Sequence, residues 1–209
     1  MSRTLDLAYP FRGRWAVQNS PADRVPSHGT RLFATAYAID FVPVDDRGRS
    51  ARLRLTSLLR PEPPERFPGF GRSLTAPAGG VVVAVHDSEP DHEAFRGIPS
   101  IGYAASQRRR VAKGWVGLAG NHVIIGLRTG ELVALCHLQH GSIRVSAGQS
   151  VAIGDEIGRC GNSGNSTEPH VHVQAMDSID LHHARAIPIT FRGRLPSNRE
   201  IVDIPDPGT

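Results

Sequence analysis

Lysine is nearly absent from this chain of 209 residues: Lys113 is the only one, so 23 of the 24 basic residues are arginine. Cysteine is limited to Cys136 and Cys160, and aromatic residues make up only 6%. Two thiols exclude a disulfide framework and a four-cysteine zinc site within one chain. Each lies in an apolar run and reads as a small buried hydrophobe. No stretch approaches the roughly 20 apolar residues of a membrane span. The segment Met1–Pro10 lacks an apolar run of signal-peptide length, so the sequence as written shows no export address and leaves the location open: cytoplasmic by default, extracytoplasmic if the target is a cell-wall polymer. Charged residues, at 21%, are too few and too mixed in sign for global disorder. The net charge of +4 favours loose attraction to anionic polymers, whether cell-wall polymers or nucleic acids, without choosing between them.

Glycine (22) and proline (16), by contrast, are frequent. That mixture points to many short strands joined by turns, in one domain spanning 1–209. Strands are expected around Trp15–Val17, over Tyr37–Val44, and through VVVAVH (81–86), HVIIGL (122–127) and ELVALCHL (131–138). Further candidates are SIRV (142–145), DEIGRC (155–160), HVHVQAM (170–176) and Ile187–Phe191. The proline-rich stretch 60–69 reads as a surface loop. Residues 87–120 read as a long insertion, acidic at first, with a weakly signalled helix over 99–111. Residues 193–209 read as a proline-rich tail. The fold class expected is all-β, mainly antiparallel, with little helix.

Ten histidines raise the question of a metal, although most histidines bind nothing. His170 and His172 are two apart, so on a strand both imidazoles emerge on one face, within reach of one ion or its water. A bare pair of this kind is commonly structural. Here it follows a glycine-punctuated turn, Gly161-Asn162-Ser163-Gly164-Asn165-Ser166-Thr167-Glu168, and Pro169 fixes the backbone immediately before it. Such an entry aims the pair. There is no HExxH helix, which excludes the helical metalloprotease arrangement with a glutamate base.

The segment GNSGNSTEPHVH, with HVIIGL, CHLQHGSIRVSAGQSV and GDEIGRCGNSG in order before it, resembles the catalytic core of the lysostaphin-type, LytM-like zinc metallopeptidases. The resemblance runs from His122 to Asp177, and more loosely over 15–192. It implies an all-β split barrel or sandwich with an active-site groove and long loops. It also implies one zinc ion per chain and hydrolysis of peptide bonds in bacterial cell-wall peptidoglycan by metal-activated water. In such proteins the second histidine of HxH binds zinc, which falls on His172. The first is catalytic, which falls on His170, and the histidine before leucine on the earlier strand is its catalytic partner, which falls on His137. The remaining ligands are an aspartate and a histidine from the first half. Asp40 in Tyr37-Ala38-Ile39-Asp40-Phe41 matches the aspartate. The histidine commonly lies four residues earlier, where this chain has Ala36, so the ligand falls instead on His28, across a longer loop. Three protein ligands with one open position are the pattern of a catalytic rather than a structural zinc.

The other histidines have plainer readings. His122 is structural or a groove wall, and His140 is an exposed turn residue. His86 and His92 flank an exposed acidic loop, and His182 and His183 lie at the surface. Arg108–Arg110 form a solvated face. The expected partner is a peptide or peptidoglycan, with no specific nucleic acid. Two other readings compete: a relative that binds without catalysing, and an active zinc peptidase with a different peptide substrate.

Overall fold

The computed structural model describes residues 4–52, 57, 59–96, 99–100, 112 and 114–206. Arg108–Arg110, and the expected helix over 99–111 apart from its first two residues, lie outside them. The strands are β1 (Leu5–Leu7), β2 (Gly13–Gln18), β3 (Ile39–Pro43), β4 (Ser73–Thr75), β5 (Gly80–His86), β6 (Asn121–Gly126) and β7 (Leu132–Leu138). They continue as β8 (Ser150–Val151), β9 (Glu156–Arg159), β10 (Val171–Met176), β11 (Ala186–Ile187), β12 (Ile189–Phe191) and β13 (Ile201–Ile204). Among the described residues two short helices border the site: a 3-10 turn (Leu32–Tyr37) and α1 (Gly114–Ala119). The architecture is thus all-β and mainly antiparallel, with little helix.

A nine-stranded antiparallel sheet runs in the order β13-β2-β3-β10-β7-β6-β5-β8, with β11 continuing the edge of β10. Two small sheets, parallel β1–β12 and antiparallel β4–β9, stand apart from it. SIRV forms no strand. Its chain is pinned instead by hydrogen bonds from Arg144 N to the carbonyl of Ile157 and from Arg159 N to Ser142 Oγ. The proline-rich tail contains β13, which pairs with β2 at Val202↔Trp15.

Alternation along the central strands explains the layers. One face of the large sheet presents Trp15, Val17, Ile39, Phe41, Val123, Ile125, Val133, Leu135, Val171 and Val173, all buried, to the main core. The small sheets add Leu7, Leu74, Ile157, Ile189 and Phe191 to that core. Aromatic rings concentrate there although they are scarce overall. Phe11 stacks on Trp15 with centroids 4.3 Å apart, and Phe41 meets Phe191 edge-on at 5.1 Å. The opposite face is divided. At one end Ile124, Ala134, Cys136 and Met176 pack under Ala34 and Ala119 in a minor core. At the other end the same face carries polar side chains.

Phe41 therefore fixes more than the core. Its ring locks β3 face-down, which forces its neighbour Asp40 to the polar face. Phe41→Ala is expected to lower the unfolding free energy by about 3–5 kcal/mol in urea titrations. A loss below about 1 kcal/mol would contradict this account of the core.

Candidate metal centre and groove

The register of the central strands sets the site. His172 on β10 lies opposite Asp40 on β3 on one side and Cys136 on β7 on the other. Asp40 in turn faces Gln18 on β2, and Cys136 faces His122 on β6. One row thus crosses the sheet as Gln18, Asp40, His172, Cys136 and His122. His28 joins it from the loop between β2 and β3. The side chains of His28, Asp40 and His172 offer ligand atoms all within 4.8 Å of one another.

Hydrogen bonds around this trio decide where its lone pairs point. Gln174, two residues after His172 on the same face, donates its amide Nε2 to the carbonyl of Phe33 at 2.9 Å. Its Oε1 is left to accept from His172 Nε2 at 3.0 Å. The proton of His172 is therefore on Nε2, and Nδ1 turns a lone pair towards Asp40 Oδ1, 2.9 Å away. Around His28 the logic repeats. Ser27 Oγ donates to the carbonyl of Thr35, so it accepts from His28 Nδ1, and Nε2 turns its lone pair to Asp40 Oδ2 at 3.0 Å.

Two imidazole lone pairs thus face the two oxygens of one buried carboxylate. Such acceptors repel unless a cation lies among them, so the donor set fits a divalent metal. Burial pushes the Asp40 carboxyl up. The proximity of the His28 and His170 rings outweighs it, holding the group well below the usual carboxylate range, so it stays ionised. Asn19, in the left-handed region at φ 48°, also donates to Asp40 Oδ2 at 2.7 Å.

His137 reaches the site by a backbone irregularity. Cys136 pairs with His122 while Leu138 pairs with Asn121, so His137 is the extra residue of a β-bulge. Its φ of 63° places a non-glycine residue in the left-handed region, at a cost of about 1–3 kcal/mol. The bulge brings its ring to 4.6 Å from that of His170 and 5.9 Å from that of His172. Its Nδ1 donates to the carbonyl of Ser163 at 2.9 Å, and His170 Nδ1 donates to that of Glu168 at 2.8 Å. Both rings keep Nε2 as an acceptor. Burial, with the neighbouring His170 and His172, holds His137 well below the ordinary imidazole value, so it stays neutral at pH 7. Cys136 also lines the groove, but burial pushes its thiol up and keeps it protonated.

The loop before His170 is built for this. Ser163 Oγ donates to the carbonyl of Leu138 and accepts from Asn121 N, while its own carbonyl orients His137. Gly164 has φ 72°, and a Cβ there would lie 2.4 Å from Gly120 N. The acidic segment before it is not merely exposed. Asp91 accepts from Asn162 N and His140 N, and Asp87 from Gly141 N and Ile143 N, tying the loops around the site together.

All five residues singled out in the sequence, His28, Asp40, His137, His170 and His172, line one groove of about 420 Å³. His122 is buried under Trp115, its Nδ1 bonded to the carbonyl of Gly120. His140, His182 and His183 are exposed. His92 is partly buried, bonded to the carbonyl of Gly164. Sequence reasoning passed over Asn19, Ser27, Glu168 and Gln174. Only Gln174 carried a signal, as the next same-face position after His172.

Residues 101–183 match the model of peptidase family M23. Similar solved structures include the catalytic domain of lysostaphin from Staphylococcus simulans: 16% identity, TM-score 0.42, covering 87% of this chain and 88% of that one. Another is the catalytic domain of the prophage-encoded M23 protein EnpA from Enterococcus faecalis, in a mutant form: 18% identity, TM-score 0.42, covering 72% and 73%. A protein assigned to the M23 peptidases from Pseudomonas aeruginosa has 19% identity and TM-score 0.42, with 84% of this chain covered. This chain spans 46% of the length of that protein. The likeness is distant in both sequence and geometry. The match to peptidase family M23 is confined to residues 101–183. That segment contains His137, His170 and His172 but neither His28 nor Asp40, so the candidate metal trio rests on the geometry above.

Replacing Gln174 by leucine removes the acceptor that fixes the His172 tautomer while keeping side-chain bulk. Zinc affinity, measured by competition with a chromogenic chelator, is expected to fall about 10–100-fold. Unchanged affinity would show that Gln174 does not set the ligand.

Proposed function

We propose that this protein is a zinc-dependent endopeptidase cutting peptide bonds in bacterial cell-wall peptidoglycan cross-links. The observation that carries the reading is the pair of imidazole lone pairs aimed at Asp40, beside two further histidines whose Nε2 atoms face the same groove. His28 through Nε2, Asp40, and His172 through Nδ1 would hold one zinc ion. Zinc there supplies Lewis acidity towards a substrate carbonyl and acidifies water in its coordination sphere.

The remaining steps fall to the chain's own groups. His137, kept neutral by burial, accepts a proton from the attacking water at Nε2, its Nδ1–H bond to Ser163 fixing the ring's direction. His170, held through Glu168, presents its Nε2 beside it to orient the attacking water, and the proton taken up by His137 passes to the amine nitrogen as the C–N bond breaks. The absence of gaps in the set of five argues against a relative that only binds.

Purified peptidoglycan incubated with the zinc-loaded protein should release muropeptides bearing new amino groups at one cross-link type, identified by mass spectrometry. His137→Ala should cut that rate about 10²–10⁴-fold while retaining one zinc per chain, and a chelator should abolish it. Stoichiometric zinc with no cleavage of peptidoglycan would overturn the cell-wall reading and favour another peptide substrate.

A further inference from the structure

The groove has two chemically different ends, and the sheet register says where they lie. Over β6, beyond Cys136, the wall is apolar: Trp115 and Leu118 of α1, with Trp115 set edge-on to His122 at 5.8 Å and near Phe33 at 6.3 Å. Over β2, beyond Asp40, the lining is polar: Gln18, Asn19 and Glu168. The chain has 24 basic residues, yet among the described residues no arginine or lysine lines the groove. Among the described residues the carboxylates there are Asp40 and Glu168. Asp40 is matched by the histidines around it, whereas Glu168 has no cationic partner among the described residues.

Glu168 is partly buried and, among the described residues, held by neutral donors. Ser50 Oγ donates to its Oε2 at 2.6 Å, and Gln18 Nε2 approaches Oε1 at 3.5 Å. It makes no ion pair among the described residues, and Arg49, next to Ser50, is engaged with Asp45 at 3.6 Å. A carboxylate in a concave wall, oriented through one oxygen and with the other loosely contacted, has the arrangement of an acceptor awaiting a cation. A tether between the loop around Ser50 and the site would be served equally by a neutral acceptor. The charge is what a tether leaves unexplained.

We propose that Glu168 is a specificity-determining residue that receives an ammonium group of the substrate peptide at the β2 end of the groove, with the uncharged part of the substrate lying towards Trp115. The inference rests on the peptidase reading. It also reconciles two features that otherwise conflict. The net charge of +4 favours attraction to an anionic polymer, while the groove itself would select a cationic branch of it.

The test uses two peptides differing only in one lysine-type amine within two residues of the scissile bond, free in one and acetylated in the other. Dissociation constants and kcat/KM are measured for zinc-loaded wild type and for E168Q, which keeps the acceptor oxygen for Ser50 and removes the charge. Wild type should prefer the free amine about tenfold in both quantities, the preference shrinking as salt rises. In E168Q the ratio should fall to near one, with one zinc per chain retained as evidence of an intact fold. Equal treatment of the two peptides by wild type, or the same preference in E168Q, overturns the proposal. Preferential binding that vanishes in E168Q, with neither peptide cut, leaves this subsite standing and sinks the peptidase reading instead.

Discussion

The cross-strand pair of Asp40 on β3 and His172 on β10 is the contact on which the rest of the site depends. Directly opposed residues of an antiparallel pair have Cβ atoms about 5 Å apart, which places a carboxylate and an imidazole within reach of one ion without any loop having to find its place. A slip of one residue in either strand would turn Asp40 or His172 into the aromatic core. The register is held by that core: Phe41 and Val171 sit on the reverse face of the same two strands, fully buried. Hydrophobic packing on one side of the sheet thereby positions the candidate metal ligands on the other.

Around that pair, the surrounding hydrogen bonds have a single direction. Ser27 and Gln174 accept from the far nitrogens of His28 and His172, and the carbonyls of Ser163 and Glu168 do the same for His137 and His170. Four rings are thereby held with their acceptor nitrogens converging. A buried arrangement of this kind is unfavourable by itself, because it crowds lone pairs and a carboxylate in a poorly solvated space. The left-handed backbone at His137, and at Phe33, whose carbonyl positions Gln174, adds strain. These costs make sense together as preorganisation for a cation.

Much of this was legible in the sequence, for identifiable reasons. His170 and His172 share a face because strand side chains alternate, and the glycine-rich turn before them is a local signal. Asp40 stood out beside Phe41 within a β-branched run. His28 was reachable only through the resemblance, since nothing local distinguishes a loop histidine twelve residues from its partner. His137 was placed on a strand correctly, but strict alternation would have put it on the face opposite Cys136. The bulge that turns it into the groove has no glycine to announce it. SIRV, Asn19 and Glu168 escaped for a common reason: their roles are fixed by contacts with distant segments, and neither period nor propensity encodes those.

A crystal structure of the zinc-loaded protein, with anomalous data at the zinc edge, tests the central claim most directly. One anomalous peak per chain is expected, bonded to His28 through Nε2, to Asp40, and to His172 through Nδ1, with Gln174 Oε1 still accepting from His172 Nε2. A peak elsewhere, or coordination of His172 through Nε2 with Gln174 displaced, would contradict it.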